Sequence, residues 1–218
     1  MQRYIIPIAI LLSSLLFIFV IPTENYWMRL TFKILPMILI IVYAFSQKSF
    51  VSEGYKIIVL IGLIFCTLGD AFIISSFIFG LGSFLIGHLF YIGAFTRVWH
   101  FSWAKCITII PIAVYALFFG SKLITSLSQD ENTALIIPVI IYICAIALMG
   151  WTAIMTGNKF AMIGSILFII SDTILSWDMF VSEVPYGSEL IMLTYYSAQF
   201  LIASSIYKKE DFIFIRRY

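Results

Sequence analysis

Apolar runs of roughly 17 to 22 residues recur along the whole chain, and a run that long spans the hydrocarbon core of a bilayer as a helix. This feature restricts the fold more than any other. Backbone groups inside a bilayer must satisfy one another, so runs of this kind become helices packed on helices. The chain reads as an all-α polytopic membrane protein. Composition agrees: the 218 residues are 62% hydrophobic and 11% charged, about half the charged share of a soluble domain. The net charge of +2 carries no signal for nucleic acid, because the basic residues sit at the ends of the apolar runs.

Eight transmembrane helices are predicted, at roughly 4–21, 27–45, 55–77, 81–98, 104–121, 133–153, 159–177 and 188–207. The connections are short, so residues 1–218 are expected to form a single transmembrane domain. The first run, IIPIAILLSSLLFIFVIP, follows only Arg3 and lacks a small-residue cleavage site. It is read as a retained helix and not a signal peptide.

Lysine and arginine set the orientation. Arg3, Lys48, Lys56, Arg97, Lys105, Lys159, Lys208, Lys209, Arg216 and Arg217 fall on one side. The other side holds Arg29 and Lys122, with Glu24, Asp130, Glu131, Asp178, Glu183 and Glu189. Both termini are therefore expected in the cytoplasm, with the protein in a bacterial inner membrane. Trp27 and Trp177 fit an outer aromatic belt, and Trp99, Trp103 and Trp151 an inner one.

Internal similarity points to a repeat over 1–102 and 103–210. Pro36 in KILPMI has a counterpart in Pro138 of LIIPVI, 102 residues later, and IGLIFCTLGD ending at Asp70 resembles IGSILFIISD ending at Asp172 at the same offset. Four helices per half would give a parallel repeat about an axis along the membrane normal.

Ionisable groups in the bilayer core are costly, and default to a functional reading. Four stand out: Lys33, Asp70, His88 and Asp172, with Tyr91, Tyr142, Tyr195, Tyr196 and Gln199 as neutral polar companions. On the predicted helices, Lys33, Asp70, His88, Asp172 and Tyr195 all lie roughly 8–11 Å below the outer boundary at about 1.5 Å per residue. Five polar groups from five helices at one depth predict one polar cavity open toward the outer face. Plainer readings stand beside this one. Lys33 and Asp70 would also serve as a buried salt bridge, Lys33 as a snorkelling cation, His88 as a satisfied core residue, and the tyrosines as hydrogen-bonding packing groups. His100 is read as a boundary residue.

The chemistry available is narrow. Two histidines cannot build a three-histidine zinc site, and no G-x-S-x-G elbow is present. Cys66, Cys106 and Cys144 are odd in number and have no C-x-x-C spacing, so neither a disulfide framework nor a zinc knuckle is indicated. No metal and no cofactor are expected. Two carboxylates remain, and in a desolvated site such a pair can divide labour between proton donor and base. By analogy with glycosidases, that suits acid-assisted cleavage of an ether or acetal. The sequence alone does not choose among such substrates.

The motifs carry a resemblance. FKILPM with Lys33 and Pro36, LGD followed by GSFLIGHLFYIGAF with Asp70, His88 and Tyr91, YICAIALMGW with Tyr142, GSILFIISDTIL with Gly164, Ser171 and Asp172, and TYYSAQFLIASS with Tyr195, Tyr196 and Gln199 occur in this order. Together they resemble the YhhN family, which includes bacterial and animal lysoplasmalogenases, over nearly the whole chain. The resemblance implies eight transmembrane helices, no metal requirement and hydrolysis of the vinyl ether bond of lysoplasmalogens, with a lysophospholipid substrate drawn from membrane lipid. Asp172, among apolar neighbours, is favoured as acid and Asp70, beside Gly69, as base. Tyr195, Tyr196 and Gln199 would position water or the glycerol hydroxyl, Lys33 would hold the phosphate, and His88 would orient a carboxylate. The alkenyl chain would lie among Phe84, Phe95 and nearby aliphatic residues. The rival reading is a small lipid or metabolite carrier without catalysis, because repeated polar helices also occur in transporters.

Overall fold

The computed structural model describes residues 2–21, 25–49, 52–129 and 133–207, with side chains from residue 4 onward. Arg3's side chain, Glu24, Asp130, Glu131, Lys208, Lys209, Arg216 and Arg217, all used above in the orientation argument, lie outside that description. Among the described residues there is helix and no strand. The helices are α1 (Gln2–Phe19), α2 (Tyr26–Ser46), α3 (Glu53–Phe72), α4 (Phe77–Arg97), a short α5 (Trp103–Cys106), α6 (Ile109–Gln129), α7 (Ile136–Thr156), α8 (Lys159–Phe180) and α9 (Gly187–Ser204). Six helical segments among the described residues are long and apolar enough to cross a membrane: Tyr26–Ser46, Glu53–Phe72, Phe77–Arg97, Trp103–Gln129, Thr133–Thr156 and Lys159–Phe180. The helices α1 and α9 are shorter, at 18 residues each.

Local chemistry sets the ends. Asn25 accepts from the Met28 amide at 3.1 Å, Ser52 from Tyr55 at 3.0 Å and Asn158 from Phe160 at 2.9 Å, each closing a helix start. Gly157 ends α7 at φ +70, a conformation that side chains with a Cβ resist. The predicted span 104–121 divides into α5 and α6, and α6 then runs on to Gln129. Pro111 explains the break: it sits in the first turn of α6, where its missing N–H costs nothing, and could not continue the helix from α5. The predicted span 55–77 stops at Phe72, because the Ser75 and Ser76 amides turn back onto the Phe72 carbonyl before α4 begins.

Six helices close a ring: α2 packs on α3, α3 on α4, α4 on α7, α7 on α8, α8 on α9 and α9 on α2. Outside the ring, α1 lies against α2 and α9, and α6 against α7 and α8. The outward surface carries residues such as Leu12, Phe45, Phe79, Leu117 and Ile137, the surface a bilayer accepts. Close backbone approach holds the ring together. A Cβ on Gly87 would lie 2.7 Å from Cys66 Sγ, and one on Gly164 would lie 2.9 Å from the Ala198 carbonyl oxygen. The Ala198 contact is with backbone, so it cannot rotate away. Gly164→Ala is therefore expected to push α8 from α9 at about 1–3 kcal/mol, read as a lower thermal unfolding temperature in detergent.

At the end of the bundle where α3 and α8 begin, Tyr55 Oη and Ser205 Oγ lie 2.7 Å apart. Asn158 Nδ2 donates to the Ser205 carbonyl at 3.0 Å. Below the site, Tyr91, Phe95, Leu63 and Met149 are fully buried.

Candidate functional site

A cavity of about 380 Å³ opens near the other end of the bundle, and Lys33, Asp70, Phe84, Ser171, Asp172 and Tyr195 are among the residues on its wall. They come from the first halves of α2, α4 and α9 and the later parts of α3 and α8, which all lie at one end. Four of the five groups expected at a common depth therefore border one space. The aspartates reach it from different registers: Asp70 is two residues from the end of α3, Asp172 eight from the end of α8.

Each carboxylate is held by a tyrosine. Tyr195 Oη donates to Asp70 Oδ2 at 2.6 Å, and Tyr142 Oη donates to Asp172 Oδ2. Asp70 also faces the Lys33 ammonium at 3.6 Å, with its side chain only 3% exposed. Among the described residues this is the one ion pair within 4.0 Å, and Asp172 has no such cation. The two carboxylates thus differ in kind: one is charge-balanced, the other is met by a neutral hydroxyl.

The remaining predicted residues form the support. Tyr196 Oη donates to the Lys33 carbonyl at 2.8 Å, fixing α9 on α2. Tyr91 Oη donates to Gln199 Oε1 at 2.7 Å, one layer below the cavity. None of these three hydrogen-bonds a carboxylate among the described residues. His88 is fully buried and hydrogen-bonds neither aspartate; its ring lies edge-on to Tyr142 at 5.1 Å and to Phe168 at 4.7 Å. It backs the tyrosine that holds Asp172. Phe84 lines the cavity and meets Tyr195 edge-on at 6.0 Å. Phe95 does not line it, packing instead on Tyr91 and Tyr55.

Some residues on the wall or packed behind it drew no site reading from the sequence. Phe168 packs between His88, Phe84 and Tyr195. Arg29, Asp178 and Ser188 border the cavity nearer its mouth. Arg29 and Asp178 were visible only as outer-face charges, and the signal that finds them is helical spacing: Arg29 stands one turn before Lys33. On the other side of Asp172 is a small apolar space of about 30 Å³, walled by Tyr115, Phe119, Ile169 and other residues. Among the described residues, His, Cys, Asp and Glu nowhere gather in threes.

What this arrangement can do is donate a proton from one carboxylate and accept one at the other, inside a largely apolar pocket reached from one end. Comparison with known proteins places the chain. The YhhN family model matches residues 28–206. The lysoplasmalogenase TMEM86B of Mus musculus is 31% identical over 209 residues, covering 94% of this chain and 86% of that protein. The lysoplasmalogenase TMEM86A of Bos taurus is 31% identical over 70% of this chain and 66% of its own length. The human TMEM86B enzyme is 29% identical over 82% of this chain and 75% of its own length. No solved structure matches. On the family match and these identities, the chain belongs to the YhhN family.

Proposed function

We propose that this protein is an integral membrane hydrolase that cleaves the vinyl ether bond of a lysoplasmalogen, releasing a fatty aldehyde and a glycerophospho-headgroup. One observation carries the reading. In a chain about 30% identical to lysoplasmalogenases, two differently balanced carboxylates border a single cavity, each oriented by a tyrosine hydroxyl.

The reaction needs a proton on the β-carbon of the vinyl ether, which gives an oxocarbenium ion. Water then adds, and the hemiacetal collapses to aldehyde and alcohol. Asp172, with no cation beside it, acts as the acid. Asp70, whose charge Lys33 balances, stays a carboxylate and takes a proton from the attacking water. Tyr142 and Tyr195 aim the two groups. The alkenyl chain lies along Phe84, Leu175, Ile191 and Met192 on the cavity wall.

The fold reading extends with it. The eight long helices all cross the bilayer, with both termini in the cytoplasm and the cavity opening on the opposite face. Residues 1–102 and 103–210 form two parallel repeats within one domain. What supports this is the ring, in which α3 with α4 matches α8 with α9, and α4 on α7 matches α9 on α2.

The test is aldehyde release by purified protein from lysoplasmenyl-ethanolamine, with the ester-linked lysolipid as control. Aldehyde from the vinyl ether lipid alone is expected. Folded protein that releases none would sink the hydrolase reading and turn attention to transport.

A further inference from the structure

The cavity carries opposite charges at two levels, and only the deeper set is paired. Lys33 is committed to Asp70 at 3.6 Å, so the cation that the sequence offered for a phosphate is already neutralised. One helical turn nearer the mouth, Arg29 borders the same cavity. It forms no ion pair among the described residues. A guanidinium is also better matched to phosphate than an ammonium, because its fork binds two oxygens at once.

Asp178 borders the cavity from α8. The Val184 amide donates to its Oδ1 at 2.8 Å, and Gly187 packs so close that a Cβ there would lie 3.1 Å from the same oxygen. The turn between α8 and α9 thus fixes the carboxylate. No hydrogen bond to Oδ2 occurs among the described residues. Arg29 and Asp178 line one space without closing on each other. Two opposite, mutually unpaired charges, one of them fixed by a turn, suit a ligand that is itself a dipole.

Length agrees. Asp178 stands six residues beyond Asp172, about 9 Å along α8. In a glycerophosphoethanolamine lysolipid, nine bonds separate the ether oxygen from the ammonium nitrogen, about 10 Å when nearly extended. With the vinyl ether at Asp172, the ammonium reaches Asp178.

Resting on the hydrolase reading above, we infer that Arg29 and Asp178 are headgroup-selecting residues that hold the phosphate and the primary ammonium of an ethanolamine lysolipid. A primary ammonium donates hydrogen bonds to Oδ2. A trimethylammonium cannot, and prefers aromatic faces; the cavity's rings, Phe84 and Tyr195, belong to its deeper level.

The experiment compares aldehyde release by the purified full-length protein from three 1-alkenyl lysolipids, with ethanolamine, choline or a bare phosphate as headgroup. For the wild type, kcat/KM is expected to be about ten-fold or more higher on ethanolamine than on bare phosphate, the worth of one charge-assisted hydrogen bond. Choline should fall between. Asp178→Asn keeps an acceptor for the Val184 amide, so the turn stays intact. It is expected to lower the ethanolamine value about ten-fold and leave the bare-phosphate value within about two-fold. Arg29→Gln should weaken all three through KM. Equal loss on every headgroup in Asp178→Asn, or no loss on ethanolamine, overturns the inference. So does a wild type that treats ethanolamine and bare phosphate alike, a result that needs no variant. No aldehyde from any lipid with folded wild type is the separate signature of a failed hydrolase reading, and removes this inference with it.

Discussion

Asp172→Asn is expected to lower aldehyde release by about 100- to 10,000-fold, the contribution of a positioned acid or base, with the protein still purifying as a folded, monodisperse species. The substitution is nearly isosteric. Its amide oxygen still accepts from Tyr142, so the hydrogen bond on that side survives. What disappears is a group able to give up a proton to the substrate. Asp70→Asn is expected to show a loss of similar size, with a structural cost added, because Lys33 is then left beside a neutral amide. The pair of measurements is kcat with the vinyl ether lipid and the unfolding temperature in the same detergent. If activity in both variants merely tracks the folded fraction, the carboxylates hold the bundle together and do no chemistry.

Lys33→Met is expected to have its largest effect on stability. Its removal leaves Asp70, 3% exposed, as an uncompensated charge inside the bundle, and breaking a buried pair from one side costs about 3–5 kcal/mol. The double variant Lys33→Met/Asp70→Asn removes both charges, and a neutral replacement for a buried pair is often harmless. Stability should therefore return in the double variant while turnover stays absent. That recovery is a coupling only neighbouring residues show. An unfolding temperature unchanged in Lys33→Met, with only a raised KM, would return Lys33 to the phosphate role that the sequence assigned it.

The sequence exposed the deep half of the site well and the mouth poorly, for one physical reason. Asp70, Asp172 and Lys33 stand alone in apolar runs, where a charge needs a cause, so composition picks them out. Arg29 and Asp178 stand near helix ends, where charges are ordinary, and read only as orientation markers. Partner choice was equally hidden. Tyr142 reaches Asp172 from α7, and Tyr195 reaches Asp70 from α9 across the ring; neither pairing is local in the chain. Gln199 and Tyr91 sit below the cavity, bonded to each other, although helical spacing places Gln199 on a face with Tyr195 and Tyr196. The helices themselves were legible because long apolar runs admit little else, and the misplaced ends came at Pro111, at the Ser75–Ser76 turn and at the end of α6, which runs on to Gln129.

The sealed lower end of the bundle has a consequence of its own. The Tyr55–Ser205–Asn158 staple and the packed layer of Tyr91, Phe95 and Leu63 fill the bundle between the cavity and its lower end. Whatever enters does not leave by that end, and no proton consumed or returned is exchanged there. Nothing charged then traverses the electric field across the bilayer. Turnover in sealed vesicles should be indifferent to an imposed voltage, and the protein should add no ion leak, whereas a carrier would have to break the staple once in every cycle.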